Sequence, residues 1–277
     1  MIIQTSQIKI NVELFPSDKK NSPFIFFLHG FTGSSKDWEE IIPQLNPNYN
    51  YAALDLIGHG KSESPDNVEL YKADSLVKQL DEVFKYFTKD KIILVGYSMG
   101  GRAALSYAAK NPENLLGLIL ESSSAGIADE KLRQERILAD EKIIKMLEEK
   151  TIEEFIDFWM NQDLFATLKS VPQDKLLKAK ADKIQNNKTG LINSLRGFGT
   201  GVMPPLYEKI NSIKCKSLLI TGELDKKFTQ MNSELINLFP NAEHYVIKNA
   251  GHNTHIEKPE EFVELVNEFL GILKNFE

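Results

Sequence analysis

Six short apolar runs recur in this chain, residues 24–28, 51–54, 91–95, 115–120, 217–220 and 243–247, and most of them are apolar at nearly every position rather than at alternate ones. A strand covered on one face alternates. Only a strand covered on both faces can be apolar nearly throughout, and such strands belong to parallel sheets flanked by helices. Helical patterns fall between the runs, near 36–45, 73–88, 100–110, 230–239 and 259–274, the last opened by Pro259 after Lys258. This order predicts an α/β chain with a mostly parallel, doubly wound sheet. Residues 7–14 differ: Ile8, Ile10, Val12 and Leu14 occupy every second position, which predicts an antiparallel edge strand.

From about residue 124 to 211 the alternation stops and the pattern is helical throughout. An insertion between two strands of a parallel sheet is expected over the carboxyl ends of the strands, where ligands bind. The chain is therefore read as a core of residues 1–123 and 212–277 with a helical lid, 124–211. A net charge of −6 argues against a nucleic-acid partner and leaves room for a local basic pocket for a small anion. Cys215 is the only cysteine, so no intrachain disulfide can form, and a reducing compartment is expected. The N-terminus lacks the charged and apolar regions of a signal peptide, and no apolar run approaches the length of a membrane span. The expected location is the cytoplasm, with no membrane span; oligomeric state is not legible.

The sharpest local signal is Gly96-Tyr97-Ser98-Met99-Gly100, directly after the run 91–95 and directly before a helix. Glycines around a serine at a strand–helix junction permit the strained turn that lifts a nucleophilic hydroxyl above a sheet. A serine needs a base to activate it. Of five histidines, His29 and His59 lie in glycine-rich turns and His244 inside a strand. His252, in the loop after the last strand, is the expected general base, with His255 as the fallback. The orienting acid should fall between serine and histidine in the chain. Asp225, past the end of the run 217–220, is the first choice; Glu121 and Glu223 are alternatives. The backbone N–H groups of Met99, after the serine, and Phe31, in the loop His29-Gly30-Phe31-Thr32-Gly33, are the expected oxyanion donors.

Two arginines occupy unusual places. Arg102 follows Ser98 by one turn, near a helix N-terminus whose dipole disfavours a cation, and is a candidate for binding a substrate carboxylate. In the segment 129–150, Leu132, Ala139, Ile143, Met146 and Leu147 trace a helical stripe, and Arg136 falls inside it, which calls for an anionic partner. Arg133 lies at the flank and is expected in solvent. Phe155 and Trp159 are four apart on the next helix, with Trp159 a possible cleft residue.

These residues resemble a known family, the 2-succinyl-6-hydroxy-2,4-cyclohexadiene-1-carboxylate synthases, menaquinone-pathway lyases with the α/β-hydrolase fold. The likeness rests on His29-Gly-Phe-Thr-Gly-Ser34 with Trp38, Asp55-Leu-Ile-Gly-His-Gly-Lys-Ser62, Gly96-Tyr-Ser-Met-Gly-Gly-Arg102 and Glu121-Ser-Ser-Ser-Ala-Gly-Ile127. Arg133/Arg136/Asp140, Ser194-Leu-Arg-Gly-Phe-Gly-Thr-Gly201, Gly222-Glu-Leu-Asp-Lys-Lys-Phe228 and Ala250-Gly-His-Asn-Thr-His255 complete it. The resemblance implies catalysis by Ser98, Asp225 and His252, with Tyr97, Arg102, Arg136 and Trp159 at substrate-binding positions and no metal or other cofactor. It departs from the family at Lys183, a further substrate-binding position where arginine is common and where carboxylate binding is expected to be monodentate and weaker, at Val202-Met-Pro-Pro-Leu-Tyr207 and at Asp163-Leu-Phe165. The implied reaction is elimination of pyruvate from an enolpyruvyl cyclohexene carboxylate, a small polycarboxylate, with Ser98 as base. The same triad would serve a serine hydrolase, acting on esters or carbon–carbon bonds through an acyl-enzyme at Ser98. A non-catalytic binding protein on this fold is the third reading.

Overall fold

The computed structural model describes residues 1–273. Among them, eight strands form one sheet: β1 (Ile2–Gln4), β2 (Lys9–Phe15), β3 (Phe24–Leu28), β4 (Asn50–Leu54), β5 (Ile92–Tyr97), β6 (Leu115–Glu121), β7 (Lys216–Gly222) and β8 (Ala242–Ile247). The helices are α1 (Ala73–Phe87), α2 (Met99–Lys110), α3 (Glu130–Glu149), α4 (Ile152–Met160), α5 (Gln173–Ile184), α6 (Lys188–Phe198), α7 (Lys226–Leu235), α8 (Thr254–Glu257) and α9 (Pro259–Leu273). Position 274, the end of the helix expected over 259–274, lies outside the described residues.

The sheet order is β1-β2-β4-β3-β5-β6-β7-β8, with β3 to β8 parallel. Every residue of β5 is buried, as its unbroken apolar text requires. One core joins the sheet to α1 and α2, and a second, on the other face, joins it to α9. In α1 the buried residues Leu76, Val77, Leu80, Val83 and Phe84 repeat at helical spacing. The chain runs from β3 outward to β4 and then returns to place β5 on β3's other side. Such a reversal opens a crevice at the carboxyl ends of the two strands. The loop of residues 29–33 and Ser98 both lie there.

Three expectations need correction. The strand expected at 7–14 is β2, and it pairs antiparallel with β4, but β1 covers its outer side, so β2 is not the edge. Three residues at the N-terminus were too short a run to signal a strand. Residues 36–45 form two single turns of 3-10 helix, Ser35–Trp38 and Ile42–Gln44, instead of an α-helix. Pro43 lacks the N–H that an α-helix would need there. In α3 the expected stripe is displaced: Leu132 and Ala139 are exposed, while Asp140, Ile144 and Leu147 are buried.

Between β6 and β7 the chain is helical, as expected. Each of α3, α4 and α6 opens with a side-chain cap, from Asp129, Thr151 and Asn187; Thr151 and Glu154 cap each other reciprocally. Ile144, Leu147, Phe155, Ile156, Leu191 and Leu195 give these helices a small core of their own. α6 docks on the sheet layer through glycine: a Cβ on Gly190 would strike the backbone of Gly58. α5 has no buried residue and meets the core through ion pairs: exposed ones of Lys175 and Lys178 with Glu40, one of Asp182 with Lys36, and a more buried one of Lys183 with Asp37. Exposed pairs contribute little. Among the described residues no helix is long and apolar enough to cross a membrane.

Candidate active site

β5 runs into α2 with Ser98 alone between them, at φ 51° and ψ −106°. A non-glycine residue at positive φ is strained, by about 1–3 kcal/mol. Bare neighbours make the turn possible. A Cβ on Gly96 would meet the backbone of Gly100 at 2.5 Å, and one on Gly100 would strike the carbonyl of Leu28. Ser98 N–H donates to the Glu121 carbonyl at 2.8 Å, and Arg102 N–H donates to the Ser98 carbonyl at 3.0 Å. The backbone on either side of the hydroxyl is thus tied to β6 and to α2.

Three loops converge on that hydroxyl. His252 Nε2 is 3.1 Å from Ser98 Oγ, and His252 Nδ1 is 2.6 Å from Asp225 Oδ2. Both partners of the second bond are buried. Asp225 accepts, so Nδ1 carries the proton and the Nε2 lone pair faces the serine. Asp225 also caps α7, accepting the Phe228 N–H on Oδ1 at 3.2 Å, which fixes the carboxylate plane. Met99 is the first residue of α2, so no carbonyl one turn earlier takes its N–H. Phe31 borders the same cavity as Ser98 and Met99.

The alternatives separate cleanly. Glu121 is engaged with the fallback base: its Oε2 is 2.7 Å from His255 Nδ1, and both side chains are fully buried. Glu223 accepts the N–H of Asn249 instead. His244 meets Thr221 Oγ1. His29 holds its own loop, donating from Nδ1 to the Gly30 carbonyl at 2.7 Å and accepting the Leu56 N–H on Nε2 at 3.0 Å. Burial depresses both it and His59, the latter from 6.5 to about 3, with the adjacent His29 adding to the effect.

His59 carries a pH prediction. The folded chain keeps the imidazole neutral in a range where the unfolded chain protonates it. Its contribution is therefore fully present above about pH 6.5 and is lost as pH falls toward about 3. Urea midpoints between pH 7 and 4 should fall less steeply in His59→Gln than in the parent; equal slopes would show that His59 is not the group responsible.

A cavity of about 340 Å³ lies above Ser98, roofed by the helices between β6 and β7. Its lining includes Ser98, His252, Arg102, Arg136 and Lys227, and among the described residues no aspartate or glutamate. Arg102 Nη1 donates to the Phe198 carbonyl at 2.7 Å, and the guanidinium lies 5.1 Å from the centre of the Phe198 ring. No carboxylate among the described residues forms an ion pair with it. Burial, with Arg136 nearby, lowers its pKa to about 9, which leaves it charged at neutral pH. Arg136 does have an anion: Nε donates to Asp140 Oδ1 at 2.8 Å, one turn along α3. Burial raises the pKa of Asp140 against the pull of both arginines.

Residues 23–259 match the family model described as the alpha/beta hydrolase fold. A protein of Enterobacter sp. (strain 638) named 2-succinyl-6-hydroxy-2,4-cyclohexadiene-1-carboxylate synthase is 33% identical over 87% of this chain and 89% of its own length. A Bacillus subtilis (strain 168) relative, given the same name provisionally, is 36% identical over 90% of each chain. The chain belongs to this synthase family, within the α/β-hydrolase fold. The solved structure of MenH from S. aureus superposes with a TM-score of 0.91 at 32% identity, covering 95% of this chain and 98% of that one.

Within this synthase-family chain, Tyr97, Arg102, Arg136 and Trp159 border the Ser98 cavity. Lys183 does not. It lines a smaller neighbouring cavity, which shares Phe31, Tyr97 and Trp159, and its Nζ is 3.9 Å from Asp37 Oδ1. A lysine there finds a carboxylate of the core before it reaches the main cavity. Arg136 is not sunk in an apolar stripe; its face of α3 carries Asp140 and borders the cavity, so the charge is half-exposed and paired. Arg133, expected in solvent, is also half-buried on that face.

Several cavity residues escaped the sequence reading. Phe165 packs 5.9 Å from Trp159 and 6.0 Å from His252, and Phe228 lies 4.5 Å from His252. Lys227 adds a third cation. The Asp225-Lys-Lys-Phe228 motif was a signal for the last two. For Phe165 the signal was its place in Asp163-Leu-Phe165, and its role escaped notice because the helical insertion brings it over the imidazole from far along the chain. The departure at 202–207 keeps its packing: Tyr207 Oη donates to the Gly126 carbonyl at 3.0 Å, and Met203 lies against Arg102.

Proposed function

We propose that this chain eliminates pyruvate from 2-succinyl-5-enolpyruvyl-6-hydroxy-3-cyclohexene-1-carboxylate to give 2-succinyl-6-hydroxy-2,4-cyclohexadiene-1-carboxylate, with Ser98 as base. The observation that carries this reading is a serine cavity bordered by three cations, of which only Arg136 forms an ion pair among the described residues, in a chain whose net charge is −6. A substrate with several carboxylates balances that field; a neutral ester does not need it. The relatives' shared name supports the same substrate.

In this mechanism Asp225 holds His252 as the Nδ1–H tautomer, and His252 Nε2 takes the proton of Ser98 Oγ as that oxygen removes one from the ring carbon bearing the succinyl ketone. The ketone oxygen becomes an enolate, which the N–H groups of Met99 and Phe31 stabilise. The electron pair then shifts through the ring double bond and expels enolpyruvate, which becomes pyruvate on gaining a proton. Arg102 and Arg136 bind carboxylates and set the ring proton against Ser98. Asp140 occupies Nε of Arg136 and leaves the two terminal nitrogens of the fork for the substrate. Residues 124–211 act as a lid on the core of 1–123 and 212–277, and Trp159 and Phe165 shield the reacting centre from water. A small molecule is the partner this chemistry needs, and we place the enzyme in the cytoplasm.

The test is pyruvate release from the authentic cyclohexene substrate, run beside an activated ester with mass spectrometry of the serine peptide. Stoichiometric pyruvate with no acyl adduct supports the lyase. A stable or burst-phase acyl-Ser98 without pyruvate release would replace it with a hydrolase.

A further inference from the structure

Three carboxylates outside the triad converge on the loop that carries His252. Glu223 accepts the Asn249 N–H at 2.9 Å. Glu257 accepts the Gly251 N–H on Oε2 at 2.7 Å and the Asn253 N–H on Oε1 at 3.2 Å. Glu121 accepts from Thr254 Oγ1 at 2.7 Å, His255 N–H at 3.0 Å and His255 Nδ1 at 2.7 Å. Residues 248–253 lie between β8 and α8, and Thr254 and His255 open α8; the Ala250 carbonyl of this loop also accepts the Leu224 N–H at 2.8 Å.

Of the three, only Glu257 touches both neighbours of His252. Resting on the reading of His252 as the base, we propose that Glu257 is a positioning residue for its imidazole. The two carboxylate oxygens clamp the backbone immediately before and after His252, and so fix the point from which the side chain extends. Ser98 Oγ is 3.1 Å from Nε2, toward the long end of the hydrogen-bond range, so a small backward shift of the loop breaks the contact. A helix cap is the simpler role for a glutamate here, since Asn253 is the N-cap of α8. A cap would need only the Asn253 N–H. The shorter bond reaches past it to Gly251, on the far side of the histidine. The loop cannot retreat from this clamp cheaply: a Cβ on Gly222 would meet the Ala250 carbonyl, and one on Gly251 would strike Thr167. Glu121 serves the layer beneath, holding His255 in its stack on Trp38 at 4.3 Å, and its removal endangers folding.

The experiment uses the full chain with Glu257→Ala and Glu257→Gln, two assays and a melting curve. One assay is pyruvate release; the other is the rate at which a fluorophosphonate labels Ser98, which requires an aligned imidazole and no particular substrate. Glu257→Ala should lose about 10²-fold in kcat, the scale of a roughly 1 Å misplacement, with KM within about threefold and the labelling rate falling in parallel. Glu257→Gln keeps one acceptor and should recover most of both rates. Labelling of Glu257→Ala at the parent rate would overturn the proposal, as would a loss shared by kcat, KM and melting temperature that glutamine does not rescue. If the parent labels at Ser98 yet releases no pyruvate, the substrate assignment falls, and the labelling ratio still decides the clamp.

Discussion

Ser98→Ala should lower kcat for pyruvate release by about 10³-fold, within the range a positioned acid–base group contributes, and leave KM within a few-fold of the parent. The asymmetry follows from the geometry. The hydroxyl reaches His252 Nε2, and Arg102 and Arg136 border the cavity beyond it; in the proposed mechanism the first does the proton transfer and the other two bind carboxylates. Alanine retains the Cβ and meets no new strain at φ 51°, so the fold should persist with an unchanged melting temperature. Steady-state kinetics on the authentic substrate decide the matter. A kcat near the parent value would remove Ser98 from the chemistry, and the three-loop convergence would then be scaffolding.

Arg102→Met should separate activity from stability. Two charge-assisted bonds from one guanidinium to a substrate carboxylate are together worth about 2–4 kcal/mol, or about 30- to 1,000-fold in kcat/KM. Among the described residues the side chain of this cation has the Phe198 carbonyl and the Met203 sulfur as hydrogen-bond partners, and burial depresses its pKa to about 9. Holding that charge costs the fold something, and methionine keeps the apolar stem. The melting temperature should therefore hold or rise while turnover collapses. A fall in both would mean that Arg102 is structural. Lysine should not rescue turnover fully, because a point charge cannot reproduce the planar fork.

How much of this was legible beforehand depends on the distance over which each feature is determined. The strands β3 to β7 could be read from short runs because burial on both faces demands apolar residues at successive positions; β8, at the sheet edge, is largely half-exposed. The serine turn was equally local: Gly96 and Gly100 are required by backbone contacts within a few residues of Ser98 or by the neighbouring strand. Asp225 and His252 could be named, although far apart in sequence, because each follows the end of a readable strand and the parallel topology brings those ends to one edge. The choice among acids was less secure. Glu121 also ends a strand, and only its bond to His255 removes it from the contest.

What the sequence settled by itself, then, is the set of features that hydrophobic periodicity and backbone sterics impose within a few residues: the sheet, the strained serine, and the chain order of acid and base. Tertiary structure alone decided which charges face one another. Arg136 with Asp140, one turn apart on α3, is the exception that local spacing carries. Lys183 turned to Asp37 and Phe165 closed over His252, because such a meeting depends on whatever a distant element brings within a few ångströms. No periodicity in the local text encodes that distance.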